Sequence, residues 1–458
     1  MNTGTLKHLM QKLSSFGLET LELFKPRQRQ DFASHIQSLC QSLLGLQGEA
    51  ASIAIADAII RSYQNASAEE KTAFFNYLHD GLAADPRKVN AAIAAWQQLP
   101  GQAALQNLAG ACVSPRLQLL RTLNTAPGGT MALIALREDL LKLAVPDAVR
   151  SVLDHDFVQL FLGWFNRGFL QLRRIDWQTP ALILEKLIEY ESVHEIKGWP
   201  DLRRRLQQDR RCYGFFHPAI PDVPLIFVEV ALTHGISDNI RVLLQPADDN
   251  NIPQPFDTAV FYSINNCLLG LRGVSFGNFL IKQVVEDLGL SNPEIKQYVT
   301  LSPVPGFMKW LGSKPDCLQL CTPAEQQAVA TMLQQPLREG SLRYQPLLAQ
   351  LLPKLCAHYL LNAKSRQKPL DAVARFHLGN GARLERLNWL ADTSANGLQQ
   401  SAGLMVNYVY DKDALARKCG IMEAVWEESE EVRIEQYSGL DDATLQVLDG
   451  FAFGINAH

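Results

Sequence analysis

The chain has 458 residues, 47% of them apolar and 20% charged, which suits two or three globular domains with cores of their own. Its 43 Lys plus Arg against 47 Asp plus Glu leave a net charge of −4, without the basic bias of a nucleic-acid binder. No apolar run reaches the roughly 18 residues of a membrane span. Residues 1–24 lack a basic-then-apolar profile and carry Glu19 and Glu22, and Gly454–His458 is not a peroxisomal address, so a cytoplasmic protein is expected.

Residues 1–165 read as a helical bundle. Phe32, Ile36, Leu39 and Leu43 recur at helical intervals between Arg27 and Gln47, and Ser67-Ala68-Glu69-Glu70 has the form of a capping box ahead of Phe74, Phe75 and Leu78. After the break at Pro127-Gly128-Gly129, Leu133, Leu136, Leu140 and Leu143 trace another stripe, either core or a surface for a partner or a second subunit. The region carries no chemistry of its own and reads as a scaffold.

Character changes near Trp164, which sets the expected division into residues 1–165 and 166–458. Gly168–Ile175, Cys212–Pro218, Pro224–Leu232, Thr258–Ile264 and Tyr298–Leu301 are rich in β-branched and aromatic residues, and Pro180–Glu191 reads as a helix between the first two. Together they predict a mixed sheet. The cluster Arg203-Arg204-Arg205 with Arg210-Arg211 reads either as a solvated helix face or as charge for a phosphate-bearing ligand. Residues 308–363 look helical, an insertion in the sheet. Ala372–Leu378 and Gly403–Tyr410 then read as strands, the first closed by the turn Gly379-Asn380-Gly381.

The stretch from Asp257 to Phe307 organises this second half. Between a strand and a helix, Leu271-Arg272-Gly273-Val274-Ser275-Phe276-Gly277-Asn278 brings two glycines and an arginine to a helix start, where free N–H groups and the helix dipole favour a phosphate. Gly273-Val274-Ser275-Phe276-Gly277 also matches the nucleophile elbow of serine hydrolases, but eight residues from Asn265 to Arg272 separate it from its strand, whereas an elbow follows its strand directly. The eight cysteines are scattered and form no disulfide framework. Cys317 and Cys321, with His358 downstream, lack a second ligand pair at zinc spacing, so no metal is expected. Ser302 ends a strand before Pro303 and Pro305, and His377 ends another. Read alone, the first is often only a turn residue, and the second is more often a satisfied core or surface group than a catalyst.

Val230–Thr233, Gly273–Val285, Leu301–Phe307, Phe376–Ala382 and Asn407–Tyr410, in this order, together closely resemble the malonyl-CoA decarboxylase family. The resemblance implies an α+β chain, with an all-α N-terminal domain followed by a catalytic domain of the GCN5-related N-acetyltransferase type with a mixed sheet and a helical insertion. In that fold acyl-CoA enters where two strands splay apart. Arg272, Gly273, Val274, Ser275, Phe276, Gly277 and Asn278 fall on the loop that holds the CoA pyrophosphate, Ser275 standing where the pattern has its middle glycine. The family's catalytic serine and histidine fall on Ser302 and His377, and Asn407 and Tyr408 are further candidates for contact with the substrate or its neighbours.

Malonyl-CoA loses CO2 to give acetyl-CoA, and the thioester oxygen takes the charge, so no cofactor is implied. In this reading His377 protonates the enolate carbon, and Ser302 positions the carboxylate and accepts or relays a proton. The family also implies a homo-oligomer, dimer or tetramer. Two other readings stay open at this stage: an acyltransferase using acyl-CoA, and an acyl-CoA-binding sensor without catalysis.

Overall fold

The structure is a computed structural model that describes residues 31–45, 48–245, 255–274 and 279–410. It divides into two units. The first comprises the described residues up to Phe169 together with residues 217–221 and 268–274; the second contains the rest.

The first unit is built of helices, among them Phe32–Gly45, Glu49–Gln64, Ala68–Asn76, Pro115–Leu123, Gly129–Lys142 and Asp147–Trp164. Ser67 caps Ala68–Asn76 as the sequence predicts: its hydroxyl accepts from the Glu70 N–H, and the Glu70 carboxylate accepts from the Ser67 N–H. Ile36, Leu39, Cys40 and Leu43 are buried along one side of Phe32–Gly45, and Leu133, Leu136 and Leu140 along Gly129–Lys142. These apolar stripes are therefore core rather than an open surface.

The second unit is centred on an eight-stranded mixed sheet, so the chain as a whole is α+β. Its strands are β1 (Gln171–Ile175), β2 (Arg210–Phe216), β3 (Ile226–Thr233), β4 (Thr258–Asn266), β5 (Gln297–Thr300), β6 (Ser302–Pro303), β9 (Arg383–Asn388) and β10 (Met405–Tyr410); β7 (Lys364–Ser365) and β8 (Lys368–Pro369) form a separate ribbon. β1 to β4 are successively antiparallel, and β4 pairs with β5 in parallel through the helix Phe279–Ser291, which crosses over between them. β5 and β6 lie end to end along one edge of β10, whose other edge holds β9. Ala231, Val260, Tyr262, Val299, Leu301 and Met405 pack together in the core beside the central strands.

The β4–β5 ladder is short, and this positions the site. It runs from Thr258–Gln297 to Phe261–Thr300, and the Leu301 N–H then donates to the Phe261 carbonyl at 2.9 Å. Beyond that bond β4 stays with β3 as far as Asn266, while Ser302 and Pro303 pair with Val406 and Met405 of β10. Two neighbouring strands thus part company at Ser302.

Two expectations need correction. Ala372–Gly379 is a helix rather than a strand. Asp371 is its N-cap, and Ala374, His377 and Leu378 are buried at helical rather than alternating spacing. The arginine cluster divides: Arg203 is exposed, as on a solvated face, whereas Arg204, Arg205 and Arg210 are buried in ion pairs rather than presented to a phosphate. Arg204 forms a buried double hydrogen bond with Asp209 at 2.7 and 3.0 Å, and Arg205 donates to Glu229 at 2.5 Å, with both side chains of the latter pair almost fully buried. Burial pushes the Glu229 carboxyl up to about 7 against the pull of Arg205.

Candidate active site

Ser302 and His377 meet inside the sheet unit. Ser302 Oγ lies 3.1 Å from His377 Nε2 and 2.9 Å from Thr300 Oγ1, and His377 Nδ1 lies 2.8 Å from the Tyr410 hydroxyl. The Tyr408 N–H donates to Thr300 Oγ1 at 3.2 Å, and the Tyr408 ring stacks on the imidazole at 4.8 Å with planes 25° apart. Ser302, His377, Tyr408 and Tyr410 are all buried.

Local structure explains each position. Thr300 and Ser302 are two residues apart on a nearly continuous strand, as are Tyr408 and Tyr410 on β10, so each pair shares a face. His377 sits in the last turn of Ala372–Gly379. That end of a helix favours a cation by about 0.3–1 kcal/mol, yet burial pushes the imidazole down to about 3, so desolvation wins and the ring is neutral at physiological pH. Burial likewise raises the Tyr410 phenol well above its usual range.

A neutral imidazole has one donor and one acceptor nitrogen. Two proton placements therefore satisfy the chain. In one, Tyr410 donates to Nδ1, Nε2–H donates to Ser302, and Ser302 donates to Thr300. In the other, every link is reversed: Thr300 donates to Ser302, Ser302 donates to Nε2, and Nδ1–H donates to Tyr410. The two placements differ in the histidine tautomer and in the sense of each hydroxyl's bond, and neither carries a net charge.

The pair is held from outside by Asp371. Its Oδ1 accepts from the Val373 and Ala374 N–H groups at 2.9 and 3.0 Å, capping the histidine helix. Its Oδ2 accepts from the Gly306 N–H at 3.2 Å and the Tyr359 hydroxyl at 3.4 Å, pinning the turn that follows Ser302. Burial raises the Asp371 carboxyl, and these donors work in the opposite direction.

Asn407 is saturated. Its Oδ1 accepts from Asn388 Nδ2 at 2.7 Å and Arg386 Nε at 3.3 Å, and its Nδ2 donates to the carbonyls of Ser237 and Thr300 at 3.0 and 2.8 Å. All the bonds of its amide are taken up bracing β10, and through Thr300 it steadies the serine strand.

Arg272, Gly273 and Val274 belong to the helical unit. Arg272 and Gly273 are exposed, and Gly273 has φ +80°, the left-handed conformation that favours glycine. Ser275, Phe276, Gly277 and Asn278 lie outside the described residues. Sequence reasoning missed Thr300 and Tyr410; the signal for each was its two-residue spacing from a residue already singled out. Among the described residues no three His, Cys, Asp or Glu side chains group as metal ligands, and Cys321 donates its thiol to the Cys317 carbonyl. Also among the described residues, no helix is long and apolar enough to cross a membrane.

Comparison with known proteins adds the family. The model of the malonyl-CoA decarboxylase N-terminal domain matches residues 82–165, and that of the C-terminal domain matches residues 168–432. The mitochondrial malonyl-CoA decarboxylase of Rattus norvegicus is 39% identical over 318 residues, 64% of this chain and 64% of its own length. That of Anser anser anser is 38% identical over 328 residues, 65% and 64% respectively, so the match spans just under two thirds of these relatives. Among solved structures, malonyl-CoA decarboxylase from Rhodopseudomonas palustris is 43% identical with a TM-score of 0.80, covering 90% of this chain and 99% of that one. The Agrobacterium vitis protein gives 42% and 0.78 with the same coverage. With more than half of its residues matched by the C-terminal model alone, and the expected serine and histidine in contact, the chain belongs to the malonyl-CoA decarboxylase family.

Proposed function

We propose that the protein converts malonyl-CoA to acetyl-CoA and CO2, with Ser302 and His377 as catalytic residues. The observation that carries this reading is the 3.1 Å contact between Ser302 Oγ and His377 Nε2, inside a chain of neutral hydrogen-bonded groups at the point where β4 and β5 separate.

The bond between the carboxylate and the α-carbon breaks, its electron pair moves onto the thioester as an enolate, and CO2 leaves. One proton is consumed per turnover. The thioester oxygen is the electron sink, so the reaction itself requires no cofactor. Ser302 hydrogen-bonds the malonyl carboxylate and faces His377 Nε2. An anionic group within ~4–6 Å raises the proton affinity of an imidazole by about 1–3 units, so bound substrate lifts His377 from about 3 toward roughly 4–6 and brings a minor protonated form within reach. Once CO2 has gone, His377 delivers that proton to the enolate carbon, a step in which a placed acid contributes roughly 10² to 10⁴ in rate. Tyr410 and the stacked Tyr408 ring hold the imidazole in line.

The CoA pyrophosphate is taken by Arg272, Gly273 and Val274 with Ser275, Phe276, Gly277 and Asn278, ahead of the helix that begins at Phe279. Residues 1–165 serve as scaffold and oligomerisation domain, and residues 166–458 as the decarboxylase of the GCN5-related type. The protein is cytoplasmic and a dimer or tetramer; cell fractionation and analytical sedimentation test these two points.

The direct experiment supplies malonyl-CoA to purified protein with chelator and no acyl acceptor. Acetyl-CoA and CO2 formed one for one support the reading. Free CoA with malonate would replace it by thioester hydrolysis, and turnover only with an added amine would replace it by acyl transfer.

A further inference from the structure

The stem of the CoA loop is seated on the helical unit, and one side chain fastens it. Arg137 lies in the helix Gly129–Lys142 and is 2% exposed. Its Nε–H donates to Asp154 Oδ1 at 2.9 Å, and its NH1 group donates to the Gly270 carbonyl at 2.7 Å. Gly270 is the middle residue of the 3-10 turn Leu269–Leu271, and it sits directly on the helix backbone. A Cβ there would lie 2.0 Å from the Ile134 carbonyl oxygen and 2.8 Å from Ile134 Cγ2, so no other residue fits without displacing the turn.

The turn continues in step: Leu271 N–H donates to Leu268 O, Arg272 N–H to Leu269 O, and Val274 N–H to Leu271 O, at 2.9, 2.9 and 3.0 Å. Leu268, Leu271 and Val274 are buried at a spacing of three, one face of a 3-10 helix, while Arg272 and Gly273 remain exposed. Burying one face of so short a segment and tying its central carbonyl to a clamped guanidinium fixes where Arg272 and Gly273 stand.

We infer that Arg137 is a positioning residue for the coenzyme: held by Asp154, it sets Arg272 and Gly273 through Gly270, and so contributes to CoA affinity. This rests on the proposed reading of Arg272 and Gly273 as contacts for the CoA pyrophosphate. A purely structural tie would lower stability and leave affinity alone. A positioning tie acts on thioesters that carry the pyrophosphate and spares those that lack it.

The test measures acetyl-CoA binding by calorimetry, well below the unfolding temperature, for wild type, Arg137→Met, Arg137→Lys and Asp154→Asn, alongside steady-state kinetics with malonyl-CoA and malonyl-pantetheine. For Arg137→Met, acetyl-CoA affinity is expected to fall about tenfold, the size of one charge-assisted hydrogen bond. KM for malonyl-CoA rises with it, kcat stays within about threefold, and kcat/KM for malonyl-pantetheine is unchanged. Arg137→Lys recovers part of the loss. Asp154→Asn, which keeps the Gly270 bond and loosens the clamp, shifts affinity the same way by less and serves if Arg137→Met does not fold.

Acetyl-CoA affinity within about twofold of wild type in Arg137→Met, or in Asp154→Asn where that variant alone folds, overturns the inference. So does an equal loss with malonyl-pantetheine. Failure of wild type to bind acetyl-CoA would instead remove the proposed function on which the inference stands.

Discussion

Acidification should destabilise the sheet unit through His377, and by an amount that the structure sets. In the folded protein burial holds this imidazole at about 3, against 6.5 for the free side chain. Between those values the unfolded chain binds a proton that the native state refuses, so stability rises with pH across the window and is lost as pH falls through it. Integrating over the two protonation equilibria, the group removes about 2 kcal/mol between pH 7 and pH 5, and on the order of 4 kcal/mol by pH 3. The assay is urea unfolding at pH 7, 6 and 5 for wild type and His377→Asn, followed by a probe in the sheet unit. Contributions from other titrating groups are common to both proteins and cancel in the difference, leaving wild type to lose about 2 kcal/mol more than the variant over this range. Equal losses would show that His377 is not a neutral, desolvated base in the native state. The mechanism above would then need a different proton inventory.

Three further outcomes are expected. His377→Asn should abolish decarboxylation, by roughly 10² to 10⁴ or more, while acetyl-CoA binding stays nearly intact; unchanged turnover would remove His377 from the chemistry. Thr300→Val removes one hydrogen bond from the Tyr408 N–H and one from Ser302, so thermal unfolding should show a loss of about 1–3 kcal/mol with a drop in kcat. Thr300→Ser should restore both, and failure to do so would point to packing rather than the hydroxyl. At Gly306 a Cβ would meet the Tyr359 hydroxyl at 2.1 Å; Gly306→Ala should cost about 1–3 kcal/mol by overpacking. Removing that oxygen in Gly306→Ala/Tyr359→Phe should recover part of the loss, and a double variant no better than the single would place the strain elsewhere.

The sheet was legible because its strands are dense in β-branched and aromatic residues and are bounded by turn signals. The histidine helix was not, because Ala372-Val373-Ala374-Arg375-Phe376-His377-Leu378 is short enough for alternation and helical spacing to compete. Asp371 decided between them: an aspartate just before the run is an N-cap, and here it accepts two of the helix's free N–H groups. The arginine cluster misled for a different reason. Glu229, the partner of Arg205, stands on β3, 24 residues further along the chain, and a charge run shows nothing of where its counter-ions lie. The same limit applies to the site. Ser302 and His377 are 75 residues apart, and nothing local to either says that they touch. The residues singled out both without pairing them, the family resemblance gave them catalytic roles, and only three-dimensional pairing added Thr300 and Tyr410.

One carboxylate accounts for how so separated a pair keeps its geometry. Pro303 and Pro305 fix two backbone angles after Ser302 and carry no N–H, and the turn is closed by the Phe307 N–H to the Val304 carbonyl at 3.1 Å. The Gly306 N–H goes to Asp371 Oδ2, while Oδ1 of the same side chain starts the helix that carries His377. Both members of the 3.1 Å contact are thus referred to one buried group, with Tyr359 closing its fourth bond. Four donors on two oxygens match what a carboxylate can accept, so Asp371 is held as firmly as it holds. A shift of Asp371 carries the serine turn and the histidine helix together, so a shared anchor keeps the distance between them better than two separate ones; in the proposed reaction, where a misplacement of about 1 Å costs on the order of 10²-fold in rate, that is the distance to protect.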